Sequence, residues 1–361
     1  MKKVLVVATS SKTRGGITSV VKAHRRGAQW KEWHCRWIET HCDKGFLWKL
    51  LYLVRGWLEF VILLPFYEIV HFHLSEPFSA IRKCLFFSLA KILGKKTIVH
   101  FHAFSPKTTI DSRYRCIYRY LFTGADKIVV LSIFWKKVVE DAFGKGLDIQ
   151  VIYNPCMLSV NEIVINEDSD KVFSLHNITI PKHNIILYAG TINARKGYAD
   201  MIKAFARIAD NHRDWIIVFA GNGEVEQGKK IADELGIGEQ TIFLGWVSGT
   251  EKKCIFSLAS VFCLPSYAEG FPMAVLDAIS YGLPVITTPV GGIPDVAEDG
   301  KNMLLFHPGD VEKLAQTMEH IIDDKVLRNK LSEEARNLSQ TIFNIDTINN
   351  EIADLYKQLS N

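Results

Sequence analysis

Two carboxylates eight residues apart, Glu269 and Asp277, bracket the run Gly270-Phe271-Pro272 and are the side chains best spaced for chemistry. The apolar stretch Val261–Leu264 before them reads as a buried strand, and Ser266–Phe271 as a polar, glycine-containing turn. Pro272 suits the first turn of a helix, where its missing N–H costs nothing, and that helix is predicted to run to Tyr281. The unpaired N–H groups at such a helix start are a natural seat for an anion. A carboxylate beside a phosphate is unfavourable, so Glu269 is read as a ligand for hydroxyl groups. A sugar carried on a nucleoside diphosphate supplies both partners.

Other constellations lie between strands and helices. Gly190–Gly197 joins a predicted strand to a helix and carries Arg195 and Lys196 where that helix begins. The helix dipole does not favour cations there, so the pair makes sense with an anion such as a pyrophosphate between them, although solvent-facing charge is the plainer alternative. Gly221-Asn222-Gly223 and Gly245 follow the next two strands and could bring backbone groups close to a base and ribose. Gly15-Gly16 follows the first strand but lacks the G-x-G-x-x-G spacing, and suits an anion or a simple tight turn equally. His71 and His73, and His100 and His102, form two H-x-H pairs near strand ends. Period-two spacing puts each pair on one face. With no carboxylates nearby they read as a crowded wall rather than a metal site. His102 is expected to reach a sugar hydroxyl, whereas His71 and His100 suit the core as well.

These residues need elements to hold them. In the first half, short apolar strands at 4–8, 69–72, 97–101, 127–131 and 150–153 alternate with helical segments, which argues for a parallel, doubly wound sheet. Ser159–Lys182 is polar and irregular, a linker or domain edge. The alternation restarts at Ile185 and closes with helices predicted at 311–322, 325–338 and 346–359. The expected organisation is a first domain over 1–165, a second over 166–345 and a terminal helix over 346–361 that packs back on the first.

Bulk composition narrows the classes. The 361 residues carry 48% hydrophobic content, enough for two cores. Seven scattered cysteines without a C-x-x-C pair, and a start that reads as an immediate strand, suggest a cytoplasmic chain with free thiols. Residues 1–165 hold 25 Lys+Arg against 12 Asp+Glu, and the remainder 18 against 27, so the first half is strongly basic. No nucleic-acid motif is present and the cations are spread out, which favours an anionic membrane surface or ordinary surface variation over nucleic acid. The segment 46–66 contains Lys49, Arg55 and Glu59, too much charge for a spanning helix. It fits either a helix lying in a membrane interface or one packed over the sheet.

Taken together, the runs Gly190–Gly197, Gly221–Glu224, Phe243-Leu244-Gly245, Pro265–Pro272, Gly282–Ile286 and Gly291–Pro294 resemble the retaining glycosyltransferases of family 4. The first-domain histidine runs are similar to those of bacterial members that build capsule, exopolysaccharide or lipopolysaccharide. The resemblance implies an α/β chain of the GT-B fold, two Rossmann-like doubly wound domains facing each other across a cleft. It implies a nucleotide-sugar donor on the second domain, UDP favoured, and a saccharide or undecaprenyl-diphosphate-linked acceptor on the first. It implies a protein peripheral at the inner face of the plasma membrane, working without a resident cofactor or metal. Glu269 matches the first acid of the E-x7-E motif and Asp277 the second, near the ribose. Lys196 matches the phosphate-binding lysine, Gly16 the first-domain glycine near the phosphates, and His102 the histidine near the donor sugar. Gly270, Phe271 and Pro272 fall at the phosphate-binding helix start, and Gly221, Gly223 and Gly245 at the nucleotide. The pattern departs at Asp277, one methylene shorter than the usual glutamate, and at Thr191, where arginine is usual; Arg195 is the available substitute. Two rivals remain: a sugar-nucleotide epimerase or hydrolase, which needs no acceptor, and a non-catalytic carbohydrate-binding subunit, which binds donor without transfer.

Overall fold

The computed structural model describes residues 2–157, 173–175, 178–180 and 184–360. Contacts divide the chain into two compact units. The first holds residues 1–157, 269–273 and 343–361, and the second holds 158–268 and 274–342. The expected linker at 159–182 and the boundary at 165/166 fall largely outside the described residues, save the short antiparallel pair β7 and β8 given below.

The first unit contains one six-stranded sheet of β1 (Val4–Ala8), β2 (Arg36–Glu39), β3 (Ile69–Leu74), β4 (Lys96–Phe101), β5 (Lys127–Val130) and β6 (Ile149–Val151). All pairs are parallel, in the order β2-β1-β3-β4-β5-β6. Alternation along β1 splits the core. Leu5 and Val7 join Phe72, Phe86 and Phe101 on one face, while Val4 and Val6 join Ile69, Ile98 and Ile352 on the other. That second face is covered partly by the last helix, Ile345–Ser360, through Ile348, Ile352, Leu355 and Tyr356.

After β7 (Phe173–Leu175) and β8 (Ile178–Ile180), the second unit builds its own parallel sheet. Its strands are β9 (Asn184–Ala189), β10 (Trp215–Ala220), β11 (Thr241–Gly245), β12 (Val261–Leu264), β13 (Val285–Thr287) and β14 (Leu304–Leu305). The order is β11-β10-β9-β12-β13-β14. The direction in which successive strands are added to the sheet reverses between β9 and β12, and in the first unit between β1 and β3. Such switch points leave space at the carboxyl ends of the strands for ligands.

Several boundaries differ from expectation. The helical segment after β1 breaks at Gly27 into Gly16–Arg26 and Ala28–Glu32. A Cβ on Gly27 would stand 2.0 Å from the Gln29 amide oxygen and 2.6 Å from the Asn349 amide, so the break makes room for these two side chains. The helix after β9 ends at Ala206, and a single 3-10 turn, Ala209–Asn211, follows. The segment 46–66 is a helix, Phe46–Leu63, with one further turn, Leu64–Phe66. Only Gly56 and Phe60 of that helix are buried. No helix among the described residues is long and apolar enough to cross a membrane.

Candidate functional site

In the second unit the switch point carries the cationic loop. β9 ends at Ala189, and Gly190 follows with φ +147°, a conformation L side chains rarely adopt. The Lys196 side chain lies across this glycine: a Cβ built on Gly190 would stand 3.3 Å from Lys196 Nζ. The backbone conformation therefore favours glycine, and a larger residue would have to push the lysine aside by a few tenths of an ångström. Lys196 closes a short 3-10 turn, Ala194–Lys196, capped by the Asn193 side chain, which accepts from the Lys196 N–H at 3.1 Å. The helix Tyr198–Ala206 begins just beyond. Arg195 and Lys196 thus precede the helix rather than sit in its first turn.

Arg195 is tied to the turn that leads to Glu269. Its guanidinium donates to the Ala268 carbonyl, and its own carbonyl accepts the Tyr267 N–H at 2.7 Å. At least one arm of Arg195 therefore holds the turn after β12 against the turn after β9. Tyr267 is fixed further by its hydroxyl, which donates to Asp200 at 2.7 Å. Thr191, where an arginine is usual, presents its carbonyl to the Tyr188 hydroxyl at 2.9 Å.

Gly221 and Gly223 have a local explanation. A Cβ on Gly221 would fall 1.7 Å from the Gly190 carbonyl oxygen, and one on Gly223 2.1 Å from that of Ile192. The loops after β9 and β10 run side by side, joined by the Ile192 N–H to Asn222 at 2.8 Å and the Glu224 N–H to Ile192 at 2.8 Å. Gly245 ends β11 beside the Asn222 side chain. Gly221 and Gly223 let the loops after β9 and β10 pack edge to edge.

Asp277 is buried in the helix Met273–Ser280, and its carboxylate accepts from Lys252 Nζ at 2.5 Å. Lys252 stands on the helix Gly249–Leu258. Sequence reasoning missed that helix and this partner. The available signal was a lysine pair, Lys252-Lys253, just ahead of the apolar run that becomes Ile255-Phe256.

The segment Glu269–Met273 groups with the first unit, although sequence reading places it inside a continuous domain 166–345. Gly270 sits hard against first-unit backbone: a Cβ there would stand 2.5 Å from the Ala103 carbonyl oxygen. The Phe271 carbonyl accepts from Asn154 Nδ2 at 3.2 Å, and its ring packs on Tyr153 and Phe343. Phe271 is thus an apolar anchor, and only its backbone is available for an anion. Pro272 stands immediately before the first helical residue, Met273, and Glu269 is buried, 8% exposed. Gly16 opens the helix Gly16–Arg26, and a Cβ on it would meet only the Met273 side chain, at 3.6 Å.

The histidines form one wall of the first unit. His71 Nε2 lies 3.2 Å from His100 Nδ1, and His73 Nδ1 lies 2.9 Å from His102 Nε2. The last helix completes the group, Tyr356 bonding His71 at 2.8 Å and Asn349 bonding His24 at 3.0 Å. Ring nitrogens of His71, His73 and His100 lie within 4.8 Å of one another. Burial holds all of them neutral. It drives His24 down to about 4 and His102 to about 3, and keeps His71, His73 and His100 well below the ordinary histidine value. Since His73 occupies His102 Nε2, only Nδ1 of His102 can meet a ligand. Sequence reading paired the histidines by strand spacing but did not foresee His24, Asn349 and Tyr356, which reach the wall from helices remote in sequence.

All seven cysteines are free thiols. Comparison with known proteins bears on this arrangement. The family described as Glycosyl transferases group 1 matches residues 175–338. An uncharacterized glycosyltransferase of Methanocaldococcus jannaschii is 25% identical over 64% of this chain, which spans 60% of that relative's length. The Escherichia coli UDP-Gal:alpha-D-GlcNAc-diphosphoundecaprenol alpha-1,3-galactosyltransferase is 27% identical over 80% of this chain and 75% of its own. Among solved structures, Anabaena HepE in complex with UDP-glucose superposes with a TM-score of 0.76 at 18% identity, covering 99% of this chain and all of that one. That likeness shows the fold, the GT-B pairing of two doubly wound parallel sheets in one chain. Residues 175–338 therefore match the family described as Glycosyl transferases group 1, in a chain of GT-B architecture.

Proposed function

We propose that this protein is a retaining hexosyltransferase that moves a sugar from a nucleoside diphosphate, UDP in the first instance, to a hydroxyl of a lipid-linked saccharide in bacterial surface polysaccharide synthesis. The observation that carries the proposal is Lys196 lying across Gly190 at the carboxyl end of β9, where the strand order turns. A cation held at a switch point answers the charge that grows on a departing diphosphate. The HepE complex with UDP-glucose and the E. coli transferase's diphosphoundecaprenol acceptor support the choice of donor and acceptor class.

In this reading Lys196, Arg195 and the N–H groups of Gly270 and Phe271 stabilise the leaving diphosphate, with Gly16 leaving room beside it. Glu269 and His102 Nδ1 grip sugar hydroxyls, and Asp277 reaches toward the ribose beside Gly221, Gly223 and Gly245. The acceptor hydroxyl attacks the anomeric carbon on the face that the diphosphate leaves, and a leaving phosphate oxygen takes the proton. No resident metal or cofactor enters the scheme. The basic first half and the exposed apolar side chains of the helix Phe46–Leu63 suit a protein peripheral at the inner face of the plasma membrane.

The test is a thermal-shift panel of nucleotides and nucleotide sugars, followed by Lys196→Ala. Losing one charge-assisted phosphate contact is expected to weaken donor binding about 10- to 100-fold. Unchanged affinity and turnover in the variant would remove the phosphate assignment. Free sugar or an isomer released without any acceptor would favour the epimerase or hydrolase reading instead.

A further inference from the structure

β2 is an edge strand of the first sheet, paired only with β1. A cavity of about 300 Å³ opens beside it, lined by Arg36, Trp37 and Glu39 of the strand and by Arg25 and Trp30. Period-two alternation sends Trp37 and Glu39 to one side of the strand and Arg36 to the other, so the cavity takes in both sides of the sheet's edge. The helix Phe46–Leu63 closes it with Arg55 and Glu59. That helix is pressed onto β2 by its one small residue. A Cβ on Gly56 would stand 2.4 Å from the Glu39 carbonyl oxygen, so only glycine lets the backbones come this close.

The charges in this cavity do not cancel. Glu59 accepts from Arg36 Nε at 2.8 Å and Nη2 at 2.6 Å, so these two neutralise each other. Glu39 Oε1 accepts the Ser11 N–H at 2.7 Å, and among the described residues its Oε2 has no partner. Arg25 and Arg55 have no carboxylate within ion-pair distance among the described residues. Two guanidinium groups against the single carboxylate of Glu39 leave one positive charge, which suits a monoanion. Trp30 and Trp37 are half-buried. Trp37 Nε1 is engaged by the Thr9 carbonyl at 2.9 Å, so this indole offers the cavity apolar ring surface and no donor.

We infer that the cavity binds one acidic sugar, a hexuronate residue of the saccharide acceptor. The carboxylate pairs with Arg25 and Arg55, a hydroxyl donates to Glu39 Oε2, and the C–H bonds of the sugar ring lie on the indoles, whose faces are negative. This rests on the transferase reading and narrows its saccharide to an acidic one. A phosphate dianion matches less well, because Glu39 and Glu59 stand in the same wall and repel it. A neutral sugar leaves two guanidinium groups without an anion. The volume lies at the small end of ligand sites and suits a single ring rather than a chain. The site is not the seat of the reacting sugar. The first-unit switch point lies between β1 and β3, and the open edge of β2 is about 10 Å from it, two strand spacings. Ser11 follows β1 and Glu39 ends β2, so the cavity still reaches the rim formed by the carboxyl ends of the strands. It reads a sugar beside the new bond rather than at it.

The experiment is a saturation-transfer NMR titration of the full chain with methyl glucuronide, with methyl glucoside, inorganic phosphate and UDP as comparators. Methyl glucuronide is expected to bind with a dissociation constant of about 1–10 mM, and at least about tenfold more tightly than methyl glucoside, since one charge-assisted pair separates them. Arg25→Gln with Arg55→Gln, both exposed, should weaken the glucuronide at least about tenfold and leave the glucoside within about threefold. A merely structural role would weaken both alike. The thermal shift with UDP is expected to persist in this variant, which also shows that it folds; if the shift is lost, Arg55→Gln alone carries the comparison. Glucoside binding as tight as glucuronide binding, displacement of the glucuronide by equal phosphate or by UDP, or a variant that keeps the preference would each overturn the site. A UDP shift with no glucuronide binding sinks the site alone. Glucuronide binding that responds to the variant, in a chain that ignores every nucleotide, sinks the donor reading and leaves the site standing.

Discussion

Acid should unfold the first unit before its carboxylates titrate. His24 is 4% exposed, and burial lowers it to about 4 against an ordinary value of 6.5. The unfolded chain therefore takes up a proton near pH 6.5, and the folded one only near pH 4. The stability due to keeping His24 neutral is complete above pH 6.5 and is lost as pH falls from there toward 4. At pH 5 the pH lies 1.5 units below the unfolded value, and at about 1.36 kcal/mol per unit the loss is about 2 kcal/mol. His71, His73, His100 and His102 shift the same way and for the same reason, so this figure is a floor. A unit of this size should then melt at least about 4–8 °C lower at pH 5 than at pH 7.5. Differential scanning calorimetry with a UDP analogue present separates the two units' transitions. His24→Gln removes one titrating group, so it should flatten the pH dependence even where it lowers the melting temperature itself. A first-unit transition that moves less than 2 °C between pH 7.5 and 5, or a slope untouched by His24→Gln, would refute the account.

Other predictions concern single contacts. Gly56→Ala should cost about 1–3 kcal/mol, because the added carbon meets backbone rather than a movable side chain, and chemical denaturation should show it. Lys252→Ala should change nucleotide affinity less than about threefold while Asp277→Ala weakens it about tenfold, if the carboxylate serves the ribose beyond its ion pair. The reverse ranking would make Asp277 an anchor for the helix Gly249–Leu258. Transfer measured with and without a chelator should give the same rate; loss of activity that a divalent ion restores would overturn the metal-free scheme.

The strands that carry the site were legible because buried parallel strands are continuous apolar runs. Val4–Ala8, Ile216–Ala220 and Val261–Leu264 have no other sensible reading. The edge strands were not. Arg36–Glu39 is two apolar residues between two charged ones, and Leu304–Leu305 is two residues long, so neither carries a signal of its own. The glycines of the candidate site were found by their place after strands, but the reason for two of them was not. Gly221 and Gly223 avoid the carbonyls of Gly190 and Ile192, a fact of loop packing that spacing cannot express. Arg195 and Asp277 were picked out by type and position, yet their partners, Ala268 and Lys252, come from contacts 73 and 25 residues away. The docking of Glu269–Met273 on Ala103 and Asn154 was invisible for the same reason.

The helix Ile345–Ser360 has a consequence for how the chain is made. A ribosome releases the whole first sheet nearly two hundred residues before this helix exists. Until then His71 lacks the Tyr356 hydroxyl, His24 lacks the Asn349 amide, and the face formed by Val4, Ile69 and Ile98 lacks part of its cover. The earliest-made half must therefore wait, partly assembled, for the latest-made helix, while the second sheet can mature alone. Stopping translation at residue 344 should leave a nascent product with a sound nucleotide domain and an aggregation-prone beginning.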